Sequence, residues 1–263
     1  RVHNSLELDA NCVLYDVSNA CLGMLNGMLQ AANMIQLGQI RAALVVGTES
    51  SRALVETTID ALNQQTDLTR NQIKPALASL TIGSGSCAVL LTHRDISRTG
   101  NLLSSAVAVA NTTHHDLCHS GKDEAADASM QPLMTTDSEA LLREGINTGT
   151  VAFETFLAES NWSREEISKT ICHQVGGAHR KQMLKALALD LEDDYSTFQW
   201  LGNTGSVALP ITLAVALEQN QIEPTDQLAL LGIGSGINCL MMGIEWQRTL
   251  VASNLALVNS SLA

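Results

Sequence analysis

Seven short runs made mostly of apolar residues, separated by helix-length amphipathic segments, constrain this chain more than any other feature. The runs occupy 12–17, 42–47, 87–92, 102–110, 170–173, 228–233 and 239–244. A strand that is apolar at successive positions, rather than at alternate ones, expects to be covered on both faces, and helices on each side of a sheet are the usual cover. The intervening segments have that character. Over 19–37, Leu22, Leu25, Met28, Leu29, Ala32 and Ile35 recur at spacings of three and four, one buried helical stripe. The segment 138–158 repeats the pattern through Leu141, Leu142, Ile146, Phe153 and Leu157, and 178–189 and 207–217 complete the set. The expected class is therefore α/β, with layered sheets and helices.

Composition narrows the range of functions. The chain has 263 residues, 45% of them hydrophobic, enough for one large core or two small ones. Fifteen Lys and Arg against 27 Asp and Glu give a formal net charge of −12, and no basic tract occurs, so nucleic acid is excluded as a partner. No apolar run approaches the roughly 20 residues of a membrane span. Six cysteines (12, 21, 87, 118, 172 and 239) are scattered, four inside apolar runs, which predicts reduced core thiols and a cytoplasmic protein rather than a disulfide framework. The chain opens on Arg1 without an initiator Met, and the expectation is that it is a fragment.

Two polar segments, 56–79 and 111–136, lack clear periodicity and read as loop excursions, the first of them mobile, of the kind that lines a binding site. The most informative stretch is YDVSNACLGMLNGM, residues 15–28. A strand ends near Val17, a polar turn follows, and Cys21 opens an amphipathic helix with Gly23 and Gly27 behind it. Free N–H groups and the positive end of the helix dipole favour a thiolate there, so Cys21 is the candidate nucleophile, with a lowered pKa as the expectation. A thiol that forms a thioester also needs groups to handle protons and to receive an oxyanion. ICHQVGGAH puts His173 at the end of an apolar strand, and WLGNTGSVALP puts Asn203 in a Gly-flanked turn before a helix. A neutral His and an Asn amide make a pair of donors for a carbonyl oxygen. GIGSG, residues 232–236, ends a further strand with backbone that a ligand can approach closely.

Taken in order, DVSNACLGM, LVVGTES, GSGSCAVLL, HQVGGAH, GNTGSVALP and LLGIGSGINC resemble the ketoacyl synthase III branch of the thiolase superfamily, and the resemblance runs through the whole chain. Thiolases pair Cys and His with a second Cys, and elongating ketoacyl synthases use Cys with two His; Asn203 matches the type III branch. Within that branch NACLGMLNGM and ALLGIGSGINC are most similar to the OleA group, which condenses acyl chains head to head. The initiating synthases end instead in three Gly and an aromatic residue, where this chain has Gly234, Ser235, Gly236 and Ile237.

The resemblance implies a thiolase-like five-layered αβαβα fold of two similar halves, 1–110 carrying the nucleophile and 111–263 carrying His173 and Asn203, with the first half incomplete and the protein a homodimer. It implies acyl-CoA thioesters as substrates, Cys21 as the acylated residue, His173 and Asn203 as donors to the second thioester, and the backbone N–H groups of Cys21 and Ser235 as the oxyanion hole. Gly234, Gly236 and Arg180 are the expected substrate contacts, with Arg180 and Arg52 candidates for CoA phosphates. The OleA-like resemblance also implies, as general base, a Glu contributed by the partner subunit from the part of the family upstream of Arg1, which this sequence does not show. Neither a cofactor nor a metal is required. The alternatives are decarboxylative condensation with malonyl on acyl carrier protein, and a catalytically silent scaffold of the same fold. The string HHDLCH, with His114, His115, Cys118 and His119, has metal-ligand residue types but not paired zinc-site spacing, and reads as a loop beside the substrate channel. His179 reads as a surface helix position.

Overall fold

The computed structural model describes residues 2–65, 67–120 and 134–251. The helices are α1 (Val2–Ser5), α2 (Gly23–Gln36), α3 (Arg52–Asn63), α4 (Arg70–Ile73), α5 (Ser138–Ser160), α6 (Gly177–Leu187), α7 (Phe198–Leu201) and α8 (Ala208–Glu218). The strands are β1 (Ala42–Glu49), β2 (Gly85–Thr92), β3 (Leu102–Ala110), β4 (Cys118–Ser120), β5 (Met134–Thr136), β6 (Lys169–Cys172), β7 (Gln227–Gly234) and β8 (Asn238–Glu245).

Strands β3, β8, β7 and β6 form one mixed sheet in that spatial order, with β6 and β7 parallel and the other pairs antiparallel. Strands β6, β7 and β8 are covered on both faces, whereas the edge strand β3 leaves Leu102, Ser104, Ala108 and Ala110 exposed. Ala229, Leu231, Cys239 and Met241 face one cluster with Phe153 and Phe156 of α5 and Met183, Leu184 and Leu187 of α6. Leu228, Leu230, Leu240 and Met242 point the other way, onto Leu22, Leu25 and Met28 of the nucleophile segment and Leu209, Ala216 and Leu217 of α8. Helix α8 buries residues around much of its circumference, from Leu209 to Leu217, because it lies in a central layer.

Beyond that layer lies the antiparallel pair β1–β2. Val45, Val89 and Leu91 pack on the central helices. A Cβ at Gly47 would stand 2.6 Å from Val207 and 2.7 Å from the sulfur of Met24, so only glycine lets β1 approach this closely. The opposite face carries Leu44, Val46 and Leu90 exposed, where two-sided burial was expected. Among the described residues the order is thus sheet, helices, sheet, helices, a thiolase-like α/β layering, and a fifth layer over β1–β2 is not among them.

Three expectations change. Residues 12–17 form no ladder, and Val13, Leu14 and Tyr15 are exposed, as is Cys12. Apolar sequence alone does not make a strand without a neighbour to accept its backbone bonds. The segment 56–79 is largely helical, through α3, α4 and a 3-10 turn at Lys74–Thr81 that starts with Pro75. The excursion 111–136 is described at both ends, where β4 and β5 pair; its middle, 121–133, lies outside the described residues. Among the described residues no helix is long and apolar enough to cross a membrane.

Candidate active site

Because β6 and β7 are parallel neighbours, their C-terminal ends share one rim. His173 follows β6 directly, and its N–H donates to the Leu231 carbonyl at 3.1 Å. Gly234 and Ser235 end β7 on the same rim, and a Cβ at Gly234 would lie 3.6 Å from the Cβ of Cys21. Cys21 sits in a 3-10 turn, Ala20–Leu22, that leads into α2 and follows Ala20, whose φ of 41° is unusual for a non-glycine residue.

The turn carrying Asn203 arrives from the other side. Its N–H donates to the Thr81 carbonyl at 2.9 Å, and its carbonyl accepts from Gly83 at 2.8 Å. A Cβ at Gly202 would meet the Thr81 oxygen at 2.5 Å, and its φ is 67°, so glycine is required on both counts. The Asn203 Oδ1 accepts the Gly205 N–H at 3.0 Å. A backbone N–H can only donate, so it fixes which end of the amide is oxygen and leaves Nδ2 as a free donor. Ser206, just beyond, lies against the nucleophile turn: a Cβ at Gly23 would be 3.6 Å from the Ser206 Cβ. Glu49, at the end of β1, braces the same place by accepting from the Ser206 hydroxyl at 2.5 Å and its N–H at 3.2 Å.

The electrostatics differ from the sequence expectation. Burial pushes the Cys21 thiol up to about 12, with Cys118 and Glu49 nearby adding to the shift; hydrogen bonding to its own backbone N–H is the influence that lowers it. Desolvation outweighs that lowering influence. Cys21 therefore rests as a thiol. Burial lowers the pKa of His173 to about 3, with His179 adding to the effect. At neutral pH its imidazole is uncharged and carries one N–H. The Nδ1 atom is buried with no partner among the described residues, so a proton there would lack an acceptor, which favours Nε2 as the donor. His179 is half-buried rather than on the surface: burial lowers its pKa to about 4, and its Nε2 would lie 4.0 Å from a Cβ at Gly145.

Several partners were not singled out in the sequence. Gln174 accepts at one oxygen from the Ser196 hydroxyl and the N–H groups of Thr197 and Phe198, tying the end of β6 to the segment that leads to Asn203. The HQ dipeptide was visible, but its partners lie more than twenty residues away. Asp194 is buried and accepts from the Thr170 hydroxyl and the Cys172 N–H, both at 2.9 Å. Arg180 donates to the same carboxylate at 2.5 Å and also to the carbonyls of Leu191 and Asp194. In the structure Arg180, expected as a CoA contact, serves this carboxylate, because a buried carboxylate needs a cation beside it. Arg52, the other candidate, pairs with Glu56 at 2.8 Å. In the HHDLCH string, His114 faces Glu144 at 3.5 Å, His115 meets the Thr112 carbonyl, and Cys118 accepts from Thr136.

The layered sheets, with Cys21, His173 and Asn203 each in a turn beside the end of an element, define a thiolase-like α/β protein. Residues 15–110 match the family model for 3-oxoacyl-[acyl-carrier-protein] synthase III, and residues 157–246 match the model for its C-terminal part. The chain belongs to this family. It is 44% identical over 249 residues to the acyl-CoA:acyl-CoA alkyltransferase of Shewanella oneidensis, covering 94% of this chain and 71% of that protein. It is 32% identical to the acyl-CoA:acyl-CoA alkyltransferase of Xanthomonas campestris, covering 93% of this chain and 70% of that protein. A crystal structure of Xanthomonas campestris OleA with bound lauric acid and lauroyl-CoA superposes with a TM-score of 0.84 at 31% identity, over 93% of this chain and 70% of the other.

Proposed function

We propose that this protein catalyses a Cys-dependent Claisen condensation of two acyl-CoA molecules to a β-keto acid or thioester. The Cys21 thiol attacks the first acyl carbonyl, and the backbone N–H groups of Cys21 and Ser235 receive the oxyanion. The bond from the carbonyl carbon to the CoA sulfur breaks. CoA leaves as its thiol, carrying the proton given up by Cys21. Nε2–H of His173 and Nδ2 of Asn203 then hold the carbonyl of a second acyl-CoA, where they stabilise charge as its α carbon loses a proton. The base is a Glu of the partner subunit of a homodimer, as the family resemblance implies. The α carbon bonds to the acyl carbon of acyl-Cys21, the carbon–sulfur bond to Cys21 breaks, and the thiol is restored.

The observation that carries this reading is the Asn203 amide: Gly205 holds its oxygen, which leaves an untitratable donor to act with Cys21 and the neutral His173. The names of the two alkyltransferase relatives support acyl-CoA for both substrates. In this reading residues 1–110 and 111–263 are the two halves of the fold, the protein is cytoplasmic, Gly234 and Gly236 admit the substrate backbone closely, and no cofactor takes part.

The family model's own description favours a second reading, condensation with malonyl on acyl carrier protein. Purified enzyme given long-chain acyl-CoA alone separates the two. Release of CoA with a β-keto product supports the first, and strict dependence on a malonyl donor supports the second. A Cys21→Ala variant that leaves the protein's activity in the cell unchanged would instead indicate a catalytically silent scaffold.

A further inference from the structure

An oxyanion hole works only if its two N–H groups point at one oxygen position, about 3 Å from each. In the reading above these groups belong to Cys21 and Ser235, which come from turns at opposite ends of the chain. Cys21 lies in a single 3-10 turn ahead of α2, and Ser235 in the turn between β7 and β8, so neither N–H is held inside an α-helix or a strand ladder. The first runs through Asn19 and Ala20, the latter at φ 41°, and the second through Gly234 to Gly236, the last at φ 132°.

We propose that Asn238 is the positioning residue that sets this hole. It opens β8, directly opposite Gly234 in the ladder. Its Nδ2 donates to the Ser235 carbonyl at 3.1 Å and to Asn19 Oδ1 at 3.2 Å. One NH2 group thereby uses both hydrogens as a fork between the two turns. The Ser235 carbonyl can only accept, so the Asn238 amide must present its nitrogen there. Pinning that carbonyl restricts the rotation of Ser235, and pinning Asn19 restricts the entry to the Cys21 turn. Asn19 and Asn238 also border a cleft of about 130 Å³, together with Leu22, Ala108, Ala110 and Leu240. The amide also fills the space beside Gly236, where a Cβ would stand 2.6 Å from Nδ2.

This inference rests on the acyl-transfer reading and is tested separately from it, on the full-length enzyme. Asn238→Ala, Asn238→Ser, Asn19→Ala and the double alanine variant are compared with the parent in three measurements. These are the rate of acyl-Cys21 formation from acyl-CoA by intact mass, the rate of Cys21 alkylation by iodoacetamide, and the unfolding temperature. Alkylation by iodoacetamide forms no oxyanion, so it reports on the thiol alone. The expected result is acylation slowed about a hundredfold in Asn238→Ala, as for loss of one oxyanion donor, with alkylation and unfolding temperature unchanged. Asn238→Ser, which keeps a single donor, should fall between, and the double variant should be no slower than Asn238→Ala. Parent-like acylation in Asn238→Ala overturns the proposal, as does an equal loss of acylation and alkylation, which would mean a merely structural role. If the parent itself forms no acyl-Cys21, the acyl-transfer reading fails and the positioning role falls with it.

Discussion

The Nε of Arg180 meets Oδ2 of Asp194 at 2.5 Å, and this buried pair holds the strand that presents His173. The other carboxylate oxygen takes the Thr170 hydroxyl and the Cys172 N–H, one residue before the imidazole. Removing the carboxylate leaves a partly buried guanidinium and two strand donors unpaired. Asp194→Ala is expected to lower stability by about 3 kcal/mol, measured by denaturant unfolding, with condensation reduced as β6 loosens. A variant as stable as the parent would show that Arg180 finds other acceptors.

The thiol of Cys21, pushed up to about 12, is protonated throughout the neutral range. Its alkylation by iodoacetamide should rise about tenfold per pH unit from neutrality upward, without levelling off. A plateau below about pH 8 would show instead that the helix terminus outweighs burial.

Replacing Asn203 separates the two chemical steps. Asn203→Asp keeps an oxygen for Gly205 but exchanges the outward donor for an acceptor. Acyl-Cys21 should form at close to the parent rate and then persist, with condensation slowed at least about a hundredfold. Intact mass following a single addition of acyl-CoA distinguishes this outcome from failure of the first step.

Stability should also fall in acid. The folded-state pKa values of His173 and His179, about 3 and about 4, lie below that of an exposed histidine near 6.5. The unfolded chain therefore binds more protons between these limits, so the contribution is fully present above about pH 6.5 and is lost as pH falls toward the folded values. Unfolding temperatures measured across that window should drop. His179→Gln should flatten the slope, and an unchanged slope would mean that the ring is solvated.

Six of the seven apolar runs form strands within a residue or two of where they were expected, because each has a neighbour in a sheet. The seventh, 12–17, does not, since pairing belongs to the partner strand as much as to the sequence. The apolar periodicity of 19–37 and 138–158 was enough to place α2 and α5, whereas 56–79, polar and without a clean stripe, concealed α3. Cys21, His173 and Asn203 stood out as chemistry at element ends. What held them did not: alongside short-range contacts such as Arg180 with Asp194 and Asn238 with Ser235, Asp194, Gln174, Glu49 and Asn238 have partners far away in the chain, from 22 residues for Asp194 and Cys172 to 219 for Asn238 and Asn19.

The sequence by itself determined the α/β class, the order of the elements and the residue types available for acyl transfer, because periodicity and residue chemistry are local properties. The tertiary structure alone decided that Cys21 rests as a thiol, that Arg180 serves Asp194 rather than the solvent, and that His179 lies half-buried near His173. Burial and hydrogen-bond partnership depend on what the rest of the chain places around a group, and in this site desolvation outweighs the backbone hydrogen bond that lowers the pKa of the thiol.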